Sequence, residues 1–342
     1  MMLRRSILIS AVLILLLSVL SRVDASYLYT EEIGKGTSYL ISHQNPDGGW
    51  GGAPSGASTV YDTCFAIWTI CDNISYPATP IQNAKNYLLN QRNASGVWSS
   101  VITTAMATMT LSRVFDETNS TTIEWILSAQ LDEGTWSGHT SEGCALIATW
   151  LMLSGVPSND THIAKSVNYI ISQQQPDYLW GGVGAAVPGR IITALGLACL
   201  NATMNSTVLE PAINAMLKFQ RLNGAFYSSS PGTTDIYATM WAISSLMTCG
   251  MQVKTNITIM QKVDNATAWV ITQQGAGGGF IDPFNGYQEA PGTTCQGVIS
   301  LAVAGGQPLP YGVIPENLAL LWFLPVTLVI IALAHVRRKG EA

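Results

Sequence analysis

The chain has 342 residues, of which 48% are hydrophobic, and its formal net charge is −5. Setting aside six basic and two acidic residues near the two ends leaves 10 basic against 19 acidic residues in the body. This balance argues against nucleic acid or an anionic lipid surface as a partner, and the remaining length of about 280 residues fits one domain.

The first 25 residues have the pattern of a signal peptide. A basic start ends at Arg5, the apolar run 6–20 is too short to span a bilayer comfortably, and Val23 and Ala25 place small residues at −3 and −1 of a cleavage site. The sequence therefore predicts cleavage after Ala25, export, and a folded body over 26–305.

Six similar segments follow, each reading as a helix that ends near a Gln, a Gly-rich loop and a Trp or Phe. They span 39–50, 87–98, 125–136, 169–180, 216–226 and 269–280. Such a repeat is typical of a helical hairpin that buries its apolar face only against its neighbours. Trp50, Trp98, Trp136 and Trp180 are interpreted as structural wedges in these loops.

The two helices of each repeat differ in composition. Outer segments such as 81–92 and 121–130 have mixed polarity, whereas inner segments such as 103–115, 143–154 and 191–200 are apolar on nearly every side. All-round apolarity indicates burial on all sides. The predicted fold is all-α, an (α/α)6 toroid whose inner ring is wrapped by outer helices; an open solenoid is the alternative.

A second apolar segment follows the body. After the linker 306–317, the 19 residues 318–336 are nearly uncharged and precede the basic tail 337–342. The pattern predicts a transmembrane helix with the body outside the cell, as a single-pass cell-surface protein. Residues 314–317 resemble the start of archaeal C-terminal sorting signals, so cleavage and transfer to another anchor is the alternative.

Asn-x-Ser/Thr sequons are frequent in the body and predict a glycoprotein. The eight acceptors are Asn73, Asn93, Asn119, Asn159, Asn201, Asn205, Asn256 and Asn265. On the predicted toroid, all except Asn93 fall in or beside the turns between repeats, so we expect the opposite end of the ring, called the mouth, to be bare.

The six segments resemble the QW repeats of squalene and terpene cyclases and the related repeats of protein prenyltransferase β subunits. The resemblance covers about residues 34–305 and implies an α/α toroid, while the repeat motif itself marks the scaffold rather than a reaction. Aligning the inner-helix starts places a set of polar residues at the mouth. They are Asp62, Thr103 or Thr104, Glu142, Arg190, Asp235 and Thr293.

Converging helix N-termini favour an anion such as a diphosphate. However, only Arg190 adds positive charge there, beside the carboxylates of Asp62, Glu142 and Asp235. The alternative interpretation is that these three carboxylates cap their own helices.

The resemblance to the prenyltransferase β subunits also suggests a zinc site. Asp62 and Cys64 match the Asp-x-Cys segment of those proteins, but Ala238 stands where the following His ligand belongs. His139 is the remaining candidate nitrogen ligand, and without a better one no cofactor is predicted.

Class II terpene cyclases protonate their substrate with the middle Asp of an Asp-x-Asp-Asp motif. The segment 59–63 keeps only the last of these acids as Asp62, and Tyr61 stands at the position of the catalytic acid. Tyr61 cannot protonate an alkene, which argues against cyclase chemistry.

Aromatic residues and cysteines of the inner helices leave two interpretations open. Trp68, Trp150 and Trp241 either line a ligand pocket with Tyr61 and Tyr237, or form core packing. Cys64, Cys144 and Cys295 occupy similar positions; Cys64 and Cys295 would meet only in a closed ring, as a disulfide or as buried thiols.

The preferred functional hypothesis is a non-catalytic module whose mouth binds an apolar ligand or a surface protein. Its expected binding residues are Tyr61, Asp62, Trp68, Glu142, Arg190, Asp235, Tyr237 and Trp241. The alternatives are an exported cyclase- or prenyltransferase-type enzyme acting on an isoprenoid or lipid, with Asp62 and Glu142 or Asp235 as acids, and a structural envelope component.

Overall fold

The computed structural model describes residues 29–71, 78–136, 138–181, 184–198, 200, 202–227, 235–249, 257–282 and 288–305. The predicted signal peptide, linker, transmembrane segment and basic tail lie outside these residues. Within the described ranges, no helix combines the length and the apolar character needed to cross a bilayer.

Helices form two sets that alternate along the chain. The outer set is α1 (Thr30–Ser42), α3 (Ala78–Asn90), α5 (Ser120–Ser128), α7 (Thr161–Ser172), α9 (Ala202–Met204) continued by a π-helical turn (Asn205–Leu209) and α10 (Glu210–Leu217), and α12 (Ile257–Thr272). The inner set is α2 (Val60–Cys71), α4 (Val101–Phe115), α6 (Ser141–Leu153), α8 (Ala186–Leu197), α11 (Ile236–Thr248) and α13 (Pro291–Ala304).

The inner helices close into a ring. Each of α2, α4, α6, α8, α11 and α13 packs against the next, and α13 returns to pack against α2, while α1 lies against both α13 and α2. The predicted α/α toroid is confirmed and the open solenoid is wrong. Predicted helix limits were off by a few residues, most at α8, which begins at Ala186 rather than Ile191.

Tryptophans of the loops are held in the same way in four repeats. Each indole N–H donates to the backbone carbonyl ten residues earlier, at 2.7–2.9 Å. The indoles belong to Trp50, Trp98, Trp136 and Trp180. Their rings are at most 8% exposed, so they are the structural wedges that the sequence predicted.

Glutamines six residues before the loop aromatics clamp neighbouring repeats together. Each side-chain amide donates both to its own loop and to a backbone carbonyl of the next outer helix. These glutamines are Gln44, Gln130, Gln174, Gln220 and Gln274. Gln274 donates to the carbonyl of Glu32 on α1 and so closes the outer layer.

The second repeat lacks the glutamine clamp of the other five. Arg92, not a glutamine, occupies the clamp position six residues before Trp98, and the neighbouring Gln91 is exposed. The predicted helix that ends near a Gln is present here too, because Gln91 directly follows α3, but this Gln does not occupy the clamp position.

Repeat six contains the only two strands among the described residues. β1 (Phe280–Asp282) pairs antiparallel with β2 (Gln288–Ala290), a small exception to the all-α prediction. The carboxylate of Glu289 accepts the backbone N–H groups of Gly277 and Gly279. In two other repeats, the loop's own Asp47 or Asp177 accepts the backbone N–H of the residue before the aromatic, and Glu289 takes this role in repeat six.

One sequon lies away from its expected place. Asn265 is inside α12, where its backbone carbonyl faces Gly224 of a loop, rather than in a turn between repeats. Asn73, Asn201 and Asn256 lie outside the described residues.

Candidate binding site at the mouth of the ring

A repeated hydrogen bond fixes the rotation of the inner helices. In five repeats, the backbone N–H of the loop aromatic donates to a hydroxyl or thiol in the first turns of the inner helix. These anchor residues are Thr63, Thr104, Cys144, Thr239 and Thr294. The anchors face the outer layer. Because successive residues of an α-helix are rotated by about 100°, the residues two before, two after and five after each anchor lie on the opposite side and face the ring axis.

Accessibility along the axis falls steeply with depth. At the first level, Tyr61 is 38% exposed, and Glu142 and Tyr237 are partly exposed. Five residues past the anchors, every side chain is at most 1% exposed: Trp68, Met109, Thr149, Ser244 and Ile299. Below the mouth, these described parts of the inner helices therefore leave no chamber open to water.

Asp62 lies in the first turn of α2. Its carboxylate accepts the hydroxyl of Thr59 at 2.7 Å and the backbone N–H of Gly52. The Thr59 hydroxyl in turn accepts the backbone N–H of Asp62, so the pair forms a reciprocal cap. Burial raises the pKa of the Asp62 carboxyl, and the bonds from Thr59 and Gly52 lower it by less.

Glu142 and Arg190 form an ion pair between α6 and α8. The guanidinium of Arg190 also lies 4.5 Å from the ring centroid of Tyr237 and 5.7 Å from that of Trp241, and it donates to the Tyr237 hydroxyl. Positive charge at this position is thus neutralised by Glu142 and covered by two aromatic faces. Little of the positive charge of Arg190 is therefore left to attract an external anion.

Asp235 behaves as a helix cap. Its side chain accepts the backbone N–H of Ala238 and it is 5% exposed. The capping interpretation therefore holds for Asp235 and, with Thr59 as partner, for Asp62, but not for Glu142, which pairs with Arg190 instead. Thr103 donates its backbone N–H to the Ser100 cap, and Thr293 is buried.

Cysteines of the inner ring are free thiols that make cross-helix hydrogen bonds. Cys64 bonds the hydroxyl of Thr110 on α4, and Cys295 bonds the hydroxyl of Thr69 on α2. The predicted disulfide alternative for Cys64 and Cys295 is therefore wrong. Cys144 is an anchor equivalent to Thr63 and not to Cys64, so its alignment with Cys64 was off by one residue.

The candidate zinc ligands do not assemble. Burial raises the pKa of the Cys64 thiol to about 12, and this thiol is engaged with Thr110. His139 packs against Gly143, and burial lowers its pKa. Across the described part of the chain, no three His, Cys, Asp or Glu side chains come close enough to hold a metal ion.

The three inner-helix tryptophans differ in their hydrogen bonding. The indole of Trp68 donates to Thr110 at 2.8 Å, whereas the buried indole N–H groups of Trp150 and Trp241 have no hydrogen-bond partner among the described residues. All three are at most 2% exposed and belong to the core. Of the predicted aromatic binding residues, the structure leaves Tyr61 and Tyr237 accessible.

Sequence reasoning missed the anchor residues, which fix the rotation of five inner helices. A usable signal was present, since Thr63, Thr239 and Thr294 each follow their loop aromatic by 13 or 14 residues. Thr104 follows Trp98 by only six, which hid the equivalence.

These features define a closed α/α toroid with an aromatic, carboxylate-lined mouth and a buried centre. The family model of the prenyltransferase alpha-alpha toroid domain matches residues 9–104 and 90–321. The chain belongs to this family.

A drimenyl diphosphate synthase from Streptantibioticus cattleyicolor is 25% identical over an alignment of 177 residues, and the match covers 46% of this chain. The chain matches about a third (33%) of the length of that relative.

Similar solved structures include the type II terpene cyclase MstE from Scytonema in complex with geranylgeranyl dihydroxybenzoate. That structure has a TM-score of 0.65 and 15% identity, over 82% of this chain and 99% of the other. A protein from Actinoplanes has a TM-score of 0.60 and 12% identity, over 80% and 98%. A possible member of the GH105 family from Salmonella enterica reaches 0.56 at 13%, over 81% and 93%. At these identities the likeness concerns the fold.

Proposed function

We propose that this toroid is a binding module whose mouth contacts a small ligand or a partner protein, without catalysis inside the ring. The observation that carries this proposal is the loss of accessibility below the mouth. Sites that enclose small molecules are concave pockets of about 300–1,000 Å³, and such a chamber would leave its wall side chains accessible. Instead, the axis-facing Trp68, Met109 and Ser244 are fully buried.

The chemistry of the mouth supports contact with a neutral or apolar group. Tyr61 presents its ring to solvent and packs on Phe65 at 5.0 Å, so it is held by the helix that carries it. Arg190 is already paired with Glu142, and Asp62 and Asp235 add negative charge. Among the described residues of the mouth, a diphosphate group would meet carboxylates without an available cation.

The experiment is recovery of the full chain from its native cells, followed by mass spectrometry of the molecules that remain bound. We expect a ligand or partner to be retained by the wild-type chain and lost from Tyr61→Ala. Trp125→Ala is the matched control, because Trp125 is 37% exposed and lies on α5, away from the inner-helix starts. Equal retention by both variants would contradict a binding role for the mouth.

A terpene cyclase is the second candidate, and two observations favour it. Asp62 is a largely buried carboxyl with a raised pKa at the start of an inner helix, as a general acid requires. In addition, the chain is similar in sequence to the drimenyl diphosphate synthase and in fold to MstE. Under this hypothesis, Asp62 protonates the substrate and the ring opens to admit an isoprenoid chain.

Geranylgeranyl dihydroxybenzoate, the substrate bound by MstE, is a direct probe of the cyclase hypothesis. Under the binding proposal, the full chain leaves this compound unchanged in chromatography with mass detection. An isomeric product that forms with the wild-type chain and disappears in Asp62→Asn would replace the binding proposal with the enzymatic one.

We further propose that the toroid is displayed outside the cell and tethered by residues 318–336. The support is the sequence of the two ends, with a predicted cleavage after Ala25 and a basic tail after the apolar segment. Sequencing the N-terminus of the mature protein tests the cleavage. Extraction by alkaline carbonate, which leaves spanning helices in the membrane, tests the tether; release of the chain would contradict it.

A further inference from the structure

The junction between repeats two and three lacks the clamp present at the other five. Gln130, for example, donates to Gly134 at 3.1 Å and to His162 of the next outer helix at 2.9 Å. At the second loop, Arg92 instead lies over the ring of its own Trp98, 4.7 Å from the centroid. Among the described residues, its Nε is buried without a hydrogen-bond partner, and no hydrogen bond joins its side chain to α5.

The second loop also stands away from the next outer helix. A Cβ added to the loop glycine two residues before the aromatic would meet the neighbouring helix's backbone within 2.8 Å at four junctions. Those glycines are Gly48, Gly134, Gly224 and Gly278. A Cβ on the equivalent Gly96 would meet no atom of the described residues within 4 Å. Close backbone contact between loop and helix is therefore missing here.

An open cleft of about 370 Å³ lies at this junction. It is lined by Arg92 and by the turn from α4 to α5, residues 116–120. Polar lining indicates a wetted gap between the repeats. The cleft therefore lies at the same junction that lacks the glutamine clamp and the close backbone contact.

The helix beyond the cleft is weakly held. α5 has nine residues and only two buried side chains, Thr122 and Ile126. By comparison, α7 has twelve residues and four buried side chains, and α12 has sixteen and five. Trp125 of α5 is 37% exposed. Few buried contacts lower the free energy required for local opening.

The inner ring is intact at the same place. α4 packs against both α2 and α6, and the side chain of Arg113 on α4 donates to the carbonyl of Leu153 at the end of α6. Displacement of α5 would therefore open the outer layer while the inner ring stays closed.

We propose that α5 is the built-in opening point of the toroid, a segment that detaches from the ring while the other outer helices remain docked. Arg92 in place of the clamp glutamine sets this weakness. Opening exposes the flank of α4 on which α5 packs, and it breaks the hydrogen bond from the Trp136 indole to the carbonyl of Ile126. This inference does not depend on whether the mouth binds a ligand or the ring is catalytic.

Hydrogen–deuterium exchange of the full chain, followed by mass spectrometry of its peptides, tests the proposal. In the wild-type chain we expect amides of α5 to exchange at least tenfold faster than those of α7. Arg92→Gln supplies the missing amide and should slow exchange in α5 by roughly threefold to tenfold. Arg92→Ala removes the same side chain without supplying an amide, so it should leave α5 exchanging as fast as in the wild type.

The reciprocal variant places the weakness elsewhere. Gln130→Arg removes the clamp between repeats three and four and should speed exchange in α7 while α12 stays protected. Equal protection of α5 and α7 in the wild-type chain, or an α5 that responds alike to Arg92→Gln and Arg92→Ala, would overturn the proposal.

Discussion

The thiol of Cys295 on the last inner helix bonds the hydroxyl of Thr69 on the first, repeating the bond of Cys64 to Thr110 one step further round the ring. The same cross-helix contact therefore occurs between neighbours in sequence and across the closure. Each hydroxyl donates its proton to the carbonyl four residues earlier in its own helix and therefore accepts from the thiol. The Thr110 hydroxyl also accepts the indole N–H of Trp68.

Coupling between Cys295 and Thr69 should be measurable. A double-mutant cycle of Cys295→Ala and Thr69→Val should give an interaction energy of about 0.5–1.5 kcal/mol in urea unfolding. Cys295→Ala with Thr110→Val is the control, and these two changes should add. Additivity in both cycles would mean that the closure contact does not stabilise the ring.

The clamp across the closure should matter as much as the clamps within the chain. Gln274→Ala removes two hydrogen bonds, to Gly278 and to Glu32, and should lower the free energy of unfolding by about 1–3 kcal/mol. Gln91→Ala is the control, since Gln91 is exposed and should be neutral. A neutral Gln274→Ala in thermal unfolding would contradict this role.

Substitutions at two loop glycines should distinguish the cost of backbone strain from the cost of a steric clash. Gly96 and Gly224 both have φ above +70°, but only at Gly224 would a Cβ meet the carbonyl of Asn265. Gly96→Ala should cost about 1 kcal/mol from strain alone, and Gly224→Ala clearly more than 2 kcal/mol. Equal losses in denaturant unfolding would show that the loop retreats from α12 at little cost.

Removing one partner of the Glu142–Arg190 pair should lower the free energy of unfolding. Glu142→Gln leaves the guanidinium of Arg190 without its counter-charge between two rings and should destabilise by about 1–3 kcal/mol. Glu31→Gln, which breaks the exposed pair with Lys35, should leave the melting temperature unchanged.

Asp62 should make stability depend on pH in acid. Its folded-state pKa is raised above the ordinary 3.8, so the folded chain binds the proton more tightly than the unfolded chain. Stability should therefore fall as pH rises from about 4 through the raised pKa, and Asp62→Asn should remove that part of the slope. Melting temperatures of both chains between pH 3.5 and 7 measure the difference; parallel curves would contradict the assignment.

Sequence alone predicted the toroid because the repeat carries its own geometry. A buried Trp or Phe at the end of each loop, a Gly before it in most repeats and an apolar helix after it recur often enough to indicate hairpins that stack. The ring closure followed from the lack of polar terminal repeats, and the contact of α13 with α2 agrees with that reasoning.

Prediction of the mouth was less successful, for physical reasons. Side-chain pairing across helices depends on their rotation, and the anchors that set this rotation lie at unequal distances from the loop aromatic. Glu142 was therefore grouped with the caps, although it reaches Arg190, and Cys144 was grouped with Cys64 although it replaces an anchor threonine. Trp150 and Trp241 were candidates for a pocket, and burial places both in the core.

Closure by Gln274 and Glu32 means that every repeat has two neighbours and none is terminal. Open helical arrays gain or lose a unit by extending one end, with a modest change in curvature. Here, removal of one hairpin would leave a gap that the remaining five could fill only by changing the angle at every interface. Length variation in such a molecule is thus confined to its loops, and a new start could be cut into any of them without losing an interface between repeats.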